Sequence, residues 1–396
     1  MAGFRENITA LGITIQPTPG VYNEPTSADL IAVSQPDNGS DGITSDDPTL
    51  VGSVFAAPRQ FIGRRGRAGA TFVLRGPGGS EPGAAGSYVA GRIMQAAGFA
   101  EVINQTEIIG TATGGSTSSI ILAGGASSAA DFYKGMPIQH ANIGAADSIR
   151  GTSLIRGYDG TSKTATLMET LGAAVAAGQY RIPPSLTYLL TTGLSIPMLS
   201  AKVWRHKKAY RYRDCALNAF AINIPVANND NTDLPSIEFS MFGVPVPSID
   251  ELCPPLTSAQ LSTPAPAKDG KFTFNGIKLG HQTLRLEFSL ETAALPNQNF
   301  VEGQESYEIM SGTRTVTLDL NEQLVAQLDI DALTDSQVPV PLQSGWGSAP
   351  GRRFLVGVPN GPLDAFSPAG RNGFVGLSGG LAPSDVDRSI ALSVLY

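Results

Sequence analysis

Residues 283–292 read Thr-Leu-Arg-Leu-Glu-Phe-Ser-Leu-Glu-Thr. Leu284, Leu286, Phe288 and Leu290 alternate with Arg285, Glu287, Ser289 and Glu291. Side chains on a strand point to opposite faces in turn, so this spacing predicts a strand with one face in a core and the other in water. A helix would repeat its apolar positions every three or four residues. The stretch places the chain among antiparallel β folds, and its neighbours extend the reading. Glu305–Ser311 and Arg314–Leu320 are expected as two strands joined at Gly312-Thr313. Ala70–Leu74, Tyr188–Thr191, Ala201–Tyr212, Ala216–Ile224, Ser236–Gly243, Lys271–Leu279 and Ser389–Leu395 also fit strands.

Helical signals are few. Val89, Ile93 and Ala97 recur at i, i+4 and i+8 behind Ser87, and Gly98 follows, which predicts a short amphipathic helix over Ser87–Ala97 with Ser87 as N-cap. Asn321–Leu328 is a second helical stretch, with Leu324 and Leu328 on one stripe. Between 106 and 185 short apolar segments are separated by glycine-rich turns about every 8–14 residues, the spacing of a small all-β unit. Pro183-Pro184 closes that segment, which is expected as a separate module of 106–185 inserted in a host domain of 51–105 and 186–396. Residues 1–50 carry turn chemistry at Thr18-Pro19-Gly20 and Gln35-Pro36-Asp37-Asn38-Gly39 and few apolar anchors. They are expected as an extended arm that gains order by lying on a neighbour.

Composition narrows the function. Only 15% of the 396 residues are charged, against roughly 25% in a typical soluble domain. With 42% hydrophobic residues the chain is foldable, and no apolar run approaches the roughly 18 residues of a membrane helix. Low charge suits either export or burial against further copies. Met1–Gly20 lacks a basic start followed by an apolar stretch, and Cys215 and Cys253 are too few to staple a fold, so burial against copies is the expectation. The charge is also segregated. Residues 1–50 hold seven acids against Arg5, and 285–336 hold ten acids against Arg285 and Arg314. Lys202, Arg205, Lys207, Lys208, Arg211 and Arg213 form a stretch without an acid.

Reaction chemistry is hard to assemble from these residues. The three histidines, His140, His206 and His281, have no metal-pair spacing, and neither cysteine sits in a Cys-x-x-Cys arrangement. The glycines of Gly63–Gly69 precede a strand, where a dinucleotide loop would follow one, and Gly160–Thr164 lacks the Gly-Lys-Ser/Thr core of a phosphate loop. Asp329 with Asp331, or Glu287 with Glu291, could in principle serve as a glycosidase pair, yet only Trp204 and Trp346 are available as tryptophan platforms. Catalytic, cofactor and metal residues are therefore all expected to be none. Trp204, Tyr210 and Tyr212 interleave with the basic stretch, as in a stacking-plus-phosphate strand, but a net charge of -7 is a poor footprint for a nucleic-acid binder.

The order of these pieces resembles the major tail tube proteins of long-tailed bacteriophages. The corresponding parts are the arm 1–50, the helix Ser87–Ala97 and the strand series from Lys202 to Gly243. Phe272-Thr273-Phe274-Asn275-Gly276, Leu284–Thr292 and Arg314-Thr315-Val316-Thr317-Leu318-Asp319-Leu320 continue it. Within the insert, Phe132-Tyr133-Lys134-Gly135-Met136-Pro137-Ile138, Ile149-Arg150, Tyr158-Asp159-Gly160 and Thr164-Ala165-Thr166-Leu167 are similar to a small β module of phage structural proteins. The insert and a Pro/Gly-rich tail, Gln337–Ala369, are extra to the family pattern and leave a sixfold ring, or a threefold ring of duplicated domains, both open.

The resemblance implies a mainly β, tail-tube-type antiparallel sandwich or barrel with a short flanking helix and an inserted small β domain on the outer surface. It implies a structural virion protein, assembled in the bacterial host cytoplasm, that stacks as rings into a tube for DNA ejection. Its partners would be further copies of itself, the tape measure, terminator and distal tail proteins, and DNA in passage without sequence preference, with no membrane. Glu287, Glu291 and Asp319 are then candidate lumen acids. Lys202, Arg205, Lys207, Lys208, Arg211 and Arg213 are a candidate intersubunit basic strand. Another virion component, a capsid decoration or tail terminator protein, is the alternative, and a carbohydrate-active β protein is the third reading.

Overall fold

A computed structural model describes residues 9–45, 60–145, 147–193, 196–228, 231–258, 260–321, 326–371, 374–385 and 387–396. The strand foretold by Leu284–Leu290 is real and longer: His281–Pro296, with Leu284, Leu286 and Phe288 buried and Glu287, Ser289 and Glu291 exposed. It lies inside an eleven-stranded antiparallel sheet. The main path of that sheet runs Leu30–Ile31, Thr9–Ile15, Leu199–Arg205, Lys208–Pro225, His281–Pro296, Gln304–Asn321, Phe374–Leu381 and Leu363–Arg371. Ser236–Asp250 branches from Lys208–Pro225 and carries Gln60–Val73 and then Gln35–Ser45. The chain is mainly β, and its α-helices among the described residues are Val89–Ala96 and Ile330–Ser336.

A second sheet of seven strands packs on the first. Its order is Ile277–Lys278, Lys271–Phe274, Val340–Trp346, Arg353–Gly361, Ala391–Leu395, Ser185–Leu190 and Phe99–Asn104. Phe220, Ile222, Leu286, Phe288, Val316 and Leu318 of the large sheet share one core with Tyr188, Phe274, Leu342, Phe354, Val356 and Val394 of the second. This is a β-sandwich interior, with side chains from two facing sheets interdigitating. The helix Val89–Ala96 closes one side. An ideal Cβ on Gly91 would run into the ring of Tyr188, so this glycine sets how closely helix and sheet approach.

Residues 108–182 form a third sheet, again of seven strands, from Ile108–Ala112 and Gly178–Ile182 to Ser119–Ile121 and Gly114–Gly115. It has its own core, including Ile120, Tyr133, Ile138, Ile155, Tyr158, Leu167 and Tyr180. Entry and exit pair with each other, Ile108 opposite Ile182, so the module needs little room where it joins the sandwich. It covers the outer face of the second sheet, where Leu154 and Met168 meet Leu189, Leu355 and Leu395. The molecule is thus three β layers deep, with the second sheet in the middle.

Several expectations change. Gln337–Ala369 is no tail: Val340–Trp346 is buried throughout and Arg353–Gly361 almost throughout, in the interior of the middle sheet. Strands covered on both faces lose the alternation that marks a half-exposed strand. Residues 9–45 are likewise built into the chain's own fold, with Leu11 and Ile13 fully buried and Asp214 accepting hydrogen bonds from Gln16 Nε2 (2.5 Å) and the amide of Gly20 (2.8 Å). Ala201–Tyr212 is two strands joined by a two-residue turn at His206-Lys207, with His206 at φ 57°. Conversely, Gly312-Thr313 is no turn, because Gln304–Asn321 passes through it with Gly312 opposite Leu290. The flanking helix begins at Val89 with Tyr88 as N-cap, so Ser87 does not cap it, while Gly98 takes the left-handed stop at φ 95°. Residues 322–325 of the second expected helix lie outside the described residues; Asn321 ends a strand, and the observed helix starts at Ile330 under an Asp329 cap.

Candidate assembly surfaces

The polar face of the eleven-stranded sheet is built by alternation. Glu287 stands between Ala221 and Thr315 on the neighbouring strands, Ser289 between Ala219 and Thr313, and Arg285 between Asn223 and Thr317. Farther out, Glu238 and Ser240 oppose Thr71 and Gly69, and Gly69 opposes Asp37. Small Ala, Ser, Thr and Gly side chains make the surface low, and the charges rise from it. Arg285 holds Glu238 and Glu287, each at 3.2 Å, and donates to Asn223 Oδ1 at 2.6 Å. Burial alone would lower the pKa of Arg285, but its bonds to Glu287 and Glu238 outweigh this and raise it. Arg67 pairs with Asp37 at 3.0 Å.

Of the candidate lumen acids, Glu287 and Glu291 are exposed, and Asp319 is half-buried, accepting from the hydroxyl of Thr283. Glu291 accepts from Ser311 Oγ at 2.7 Å. Four residues apart on a strand, Glu287 and Glu291 have Cα atoms about 13 Å apart at a rise of about 3.3 Å. Their carboxylates are committed to different partners, Glu287 to Arg285 and Glu291 to Ser311. In the other pair considered, Asp329 Oδ1 caps the helix by accepting from the amide of Ala332 at 2.9 Å.

The basic stretch is placed on a hairpin and is largely neutralised within the chain. Lys202 is buried, paired with Glu24 and with Glu251 (2.6 Å), and its ammonium lies over the ring of Trp204. Arg205 donates to Asn38 Oδ1 (2.6 Å) and the carbonyl of Pro36 (2.9 Å). Arg213 is paired with the buried Asp214 and donates to the carbonyl of Glu305 at 3.0 Å. These three residues tie the N-terminal segment and the 297–305 region to the sheet, which removes them from the set available to a neighbouring subunit. Lys207 at the turn is exposed, Lys208 lies over Tyr210, and Arg211 bonds to the carbonyl of Pro247 while facing Glu24 at 3.6 Å.

Two hairpins run beyond their sheet partners. Residues 41–45 and 60–65 pair only with each other, as do 291–296 and 304–311, among the described residues. Large apolar side chains stand in water there: Phe61, Ile62 and Ile43 on the first, Leu295 and Met310 on the second, and Val301 (96% exposed) in its connecting loop. Sequence reading missed these, because 40–45 and 60–65 lack alternation and 297–303 reads as a polar turn. Glu238 was within reach: Ile237, Phe239 and Met241 alternate with it and Ser240 as clearly as the leucines around Glu287.

The remaining reactive groups are placed in packing roles. Cys215 is buried and Cys253 half-buried, both free, and burial pushes each thiol pKa up. His281 stacks on Phe272 with ring centroids 3.9 Å apart, and burial pushes its pKa down to about 4. Burial also lowers that of His140. No three His, Cys, Asp or Glu side chains among the described residues gather where they could hold a metal ion, and no described helix is long and apolar enough to cross a membrane. In comparisons with known proteins, no family model and no curated protein matches this chain.

Proposed function

We propose that this chain is a structural virion protein that polymerises as stacked rings into a bacteriophage tail tube and walls the channel through which DNA is ejected. The observation that carries the reading is the pair of overhanging hairpins. Their apolar side chains and unpaired strand edges are costly in water and favour association with further chains. The polar sheet face supports the second half of the reading. A low wall of Ser, Thr, Gly and Ala bears Glu238, Glu287 and Glu291, and its one central cation, Arg285, is held between Glu238 and Glu287. The face therefore offers phosphates little to grip, whereas unpaired cations would release counterions and hold the strand.

Electron microscopy of the purified protein tests assembly directly. Hollow polymers of constant bore are the expected result, and a protein that stays monomeric at high concentration sinks the proposal; single stable rings would favour a terminator or decoration protein. Channel lining is tested separately by Glu287→Lys with Glu291→Lys. Tubes are expected to form at wild-type yield while ejection slows severalfold and becomes salt-dependent. Failure of tube formation in this variant would assign those acids to a subunit joint.

A further inference from the structure

One concave surface lies away from the wall, floored in part by the core residue Tyr212. It is a groove of about 620 Å³ over the paired ends of the strands Lys208–Pro225 and Ser236–Asp250, bounded by the overhanging 60–65 hairpin and the Val301-Glu302 loop. Its chemistry comes from Phe61, Arg64, Lys208, Tyr210, Arg211 and Tyr212. Arg64 lies over Phe61 at 5.7 Å and Lys208 over Tyr210 at 5.2 Å, so two cations sit over rings at the groove surface. Glu302 is the sole acid among the described lining residues and is turned to Arg213 at 3.9 Å. The groove is positive, aromatic and concave on a chain of net charge -7.

The matching convex surface is on the same chain. Helix Ile330–Ser336 with its cap exposes Asp329, Asp331 and Asp335 and has no basic residue in its last turn. The two surfaces cannot meet within one molecule. The groove adjoins Val301 and Glu302, just before the strand Gln304–Asn321. The helix packs beside Leu363, where Gln337 Nε2 donates to the Leu363 carbonyl at 3.1 Å, and that ladder runs through Leu381 to Val316. From residue 304 to 316 is twelve steps, which at about 3.4 Å each is about 40 Å.

We propose that the basic aromatic groove receives the acidic helix 330–336 of a second copy of this chain. Two different patches at separate places allow each copy to offer its groove to one neighbour and its helix to another, a heterologous joint that propagates head to tail into a ring or a filament. The proposal rests on the self-assembly reading above and specifies one of its joints. A short acidic helix fits better than a nucleic acid, because Glu24, Asp41, Asp250 and Glu251 flank the groove and would repel a long polyanion, while a compact patch of three carboxylates reaches only the cations.

The test uses two charge reversals in the full-length protein, R64E with K208E, and D331K with D335K, followed by sedimentation and light scattering. Each variant alone places like charges at the joint, so its self-association is expected to weaken by at least about tenfold. Mixed one to one, the reversed groove meets the reversed helix and the native groove meets the native helix, so alternating polymers are expected to return. The neutral variant R64Q with K208Q, which preserves the fold with least change, is expected to fall between wild type and reversal. Polymerisation of both reversals at wild-type strength overturns the joint and leaves self-assembly standing. Loss that mixing does not repair also overturns it, as does binding of duplex DNA by the wild type that R64E with K208E abolishes. A wild-type protein that never associates overturns both this joint and the tube reading.

Discussion

At the residue scale, the molecule commits a few ionisable groups to positions where water cannot help them. Lys271 and Glu169 are the clearest case: both are buried and paired, and the Lys271 ammonium also donates to the Thr152 carbonyl at 3.0 Å. Burial pushes the pKa of Lys271 down while Glu169 opposes the shift. Lys271→Met leaves a carboxylate buried without its counter-ion and is expected to cost about 3–5 kcal/mol in chemical denaturation. Lys271→Met with Glu169→Leu should recover most of that loss. His281 gives a pH dependence with a defined direction. Above about pH 6.5 it is neutral folded or unfolded. As pH falls from about 6.5 towards 4, the unfolded chain takes up a proton that the folded ring refuses, so stability falls, and below about 4 the loss is complete. The loss over that window is about 3 kcal/mol, and His281→Phe is expected to abolish it in urea titrations at pH 7.5 and 4.5. Neither pairing was legible in the sequence, since Lys271 and Glu169 lie in different modules and the Phe272–His281 stack joins strands of two different sheets.

At the scale of elements, legibility followed solvent exposure. Leu284–Leu290 announces its strand because one face is wet, and Gly98 announces the helix stop because only a left-handed residue fits there. Val340–Trp346 and Arg353–Gly361 were illegible for the opposite reason, with both faces covered and Gly345 and Gly357 admitted where the insert packs closely. The turn at His206-Lys207 carries no glycine or asparagine, and the Arg205–Lys208 pairing that fixes it becomes visible only with both strands in place. By contrast, Asn275-Gly276 is a clear turn signal inside a stretch read as one strand, Lys271–Leu279. Both residues have positive φ, 49° and 77°, and Phe274 pairs with Ile277 across them. The same turn docks the insert, with the Gly276 carbonyl accepting from the amide of Thr170 at 2.8 Å. Gly276→Ala is expected to cost about 1–2 kcal/mol from the backbone alone. Crowding against Thr170 should add to it, read as a lower unfolding midpoint.

At the scale of the whole molecule, the insert combines independence with commitment. It has a core of its own, yet it covers Leu189, Leu355 and Leu395 and is held by Arg156 to Asn360 (2.8 Å), Lys134 to Asp385 (3.0 Å) and the Leu154 amide to Gln343 Oε1 (2.7 Å). Residues 106–184 expressed alone are therefore expected to unfold cooperatively with dispersed amide resonances. Replacing them by a short linker should leave a sandwich that precipitates or binds hydrophobic dye, because the middle sheet then faces water. A deletion that stays monomeric and as stable as the intact chain would refute this division. Lys208–Pro225 has a further consequence. Its eighteen residues are bonded on one edge to Ser236–Asp250 and on the other to Leu199–Arg205 and then His281–Pro296. A pull along that axis loads both ladders in shear, so their bonds share the force at once. A pull that separates 291–296 from 304–311 across their ladder meets one rung at a time. Under tension the molecule yields first at its overhangs while the central strand holds, which makes it stiff along one direction and compliant at its rims.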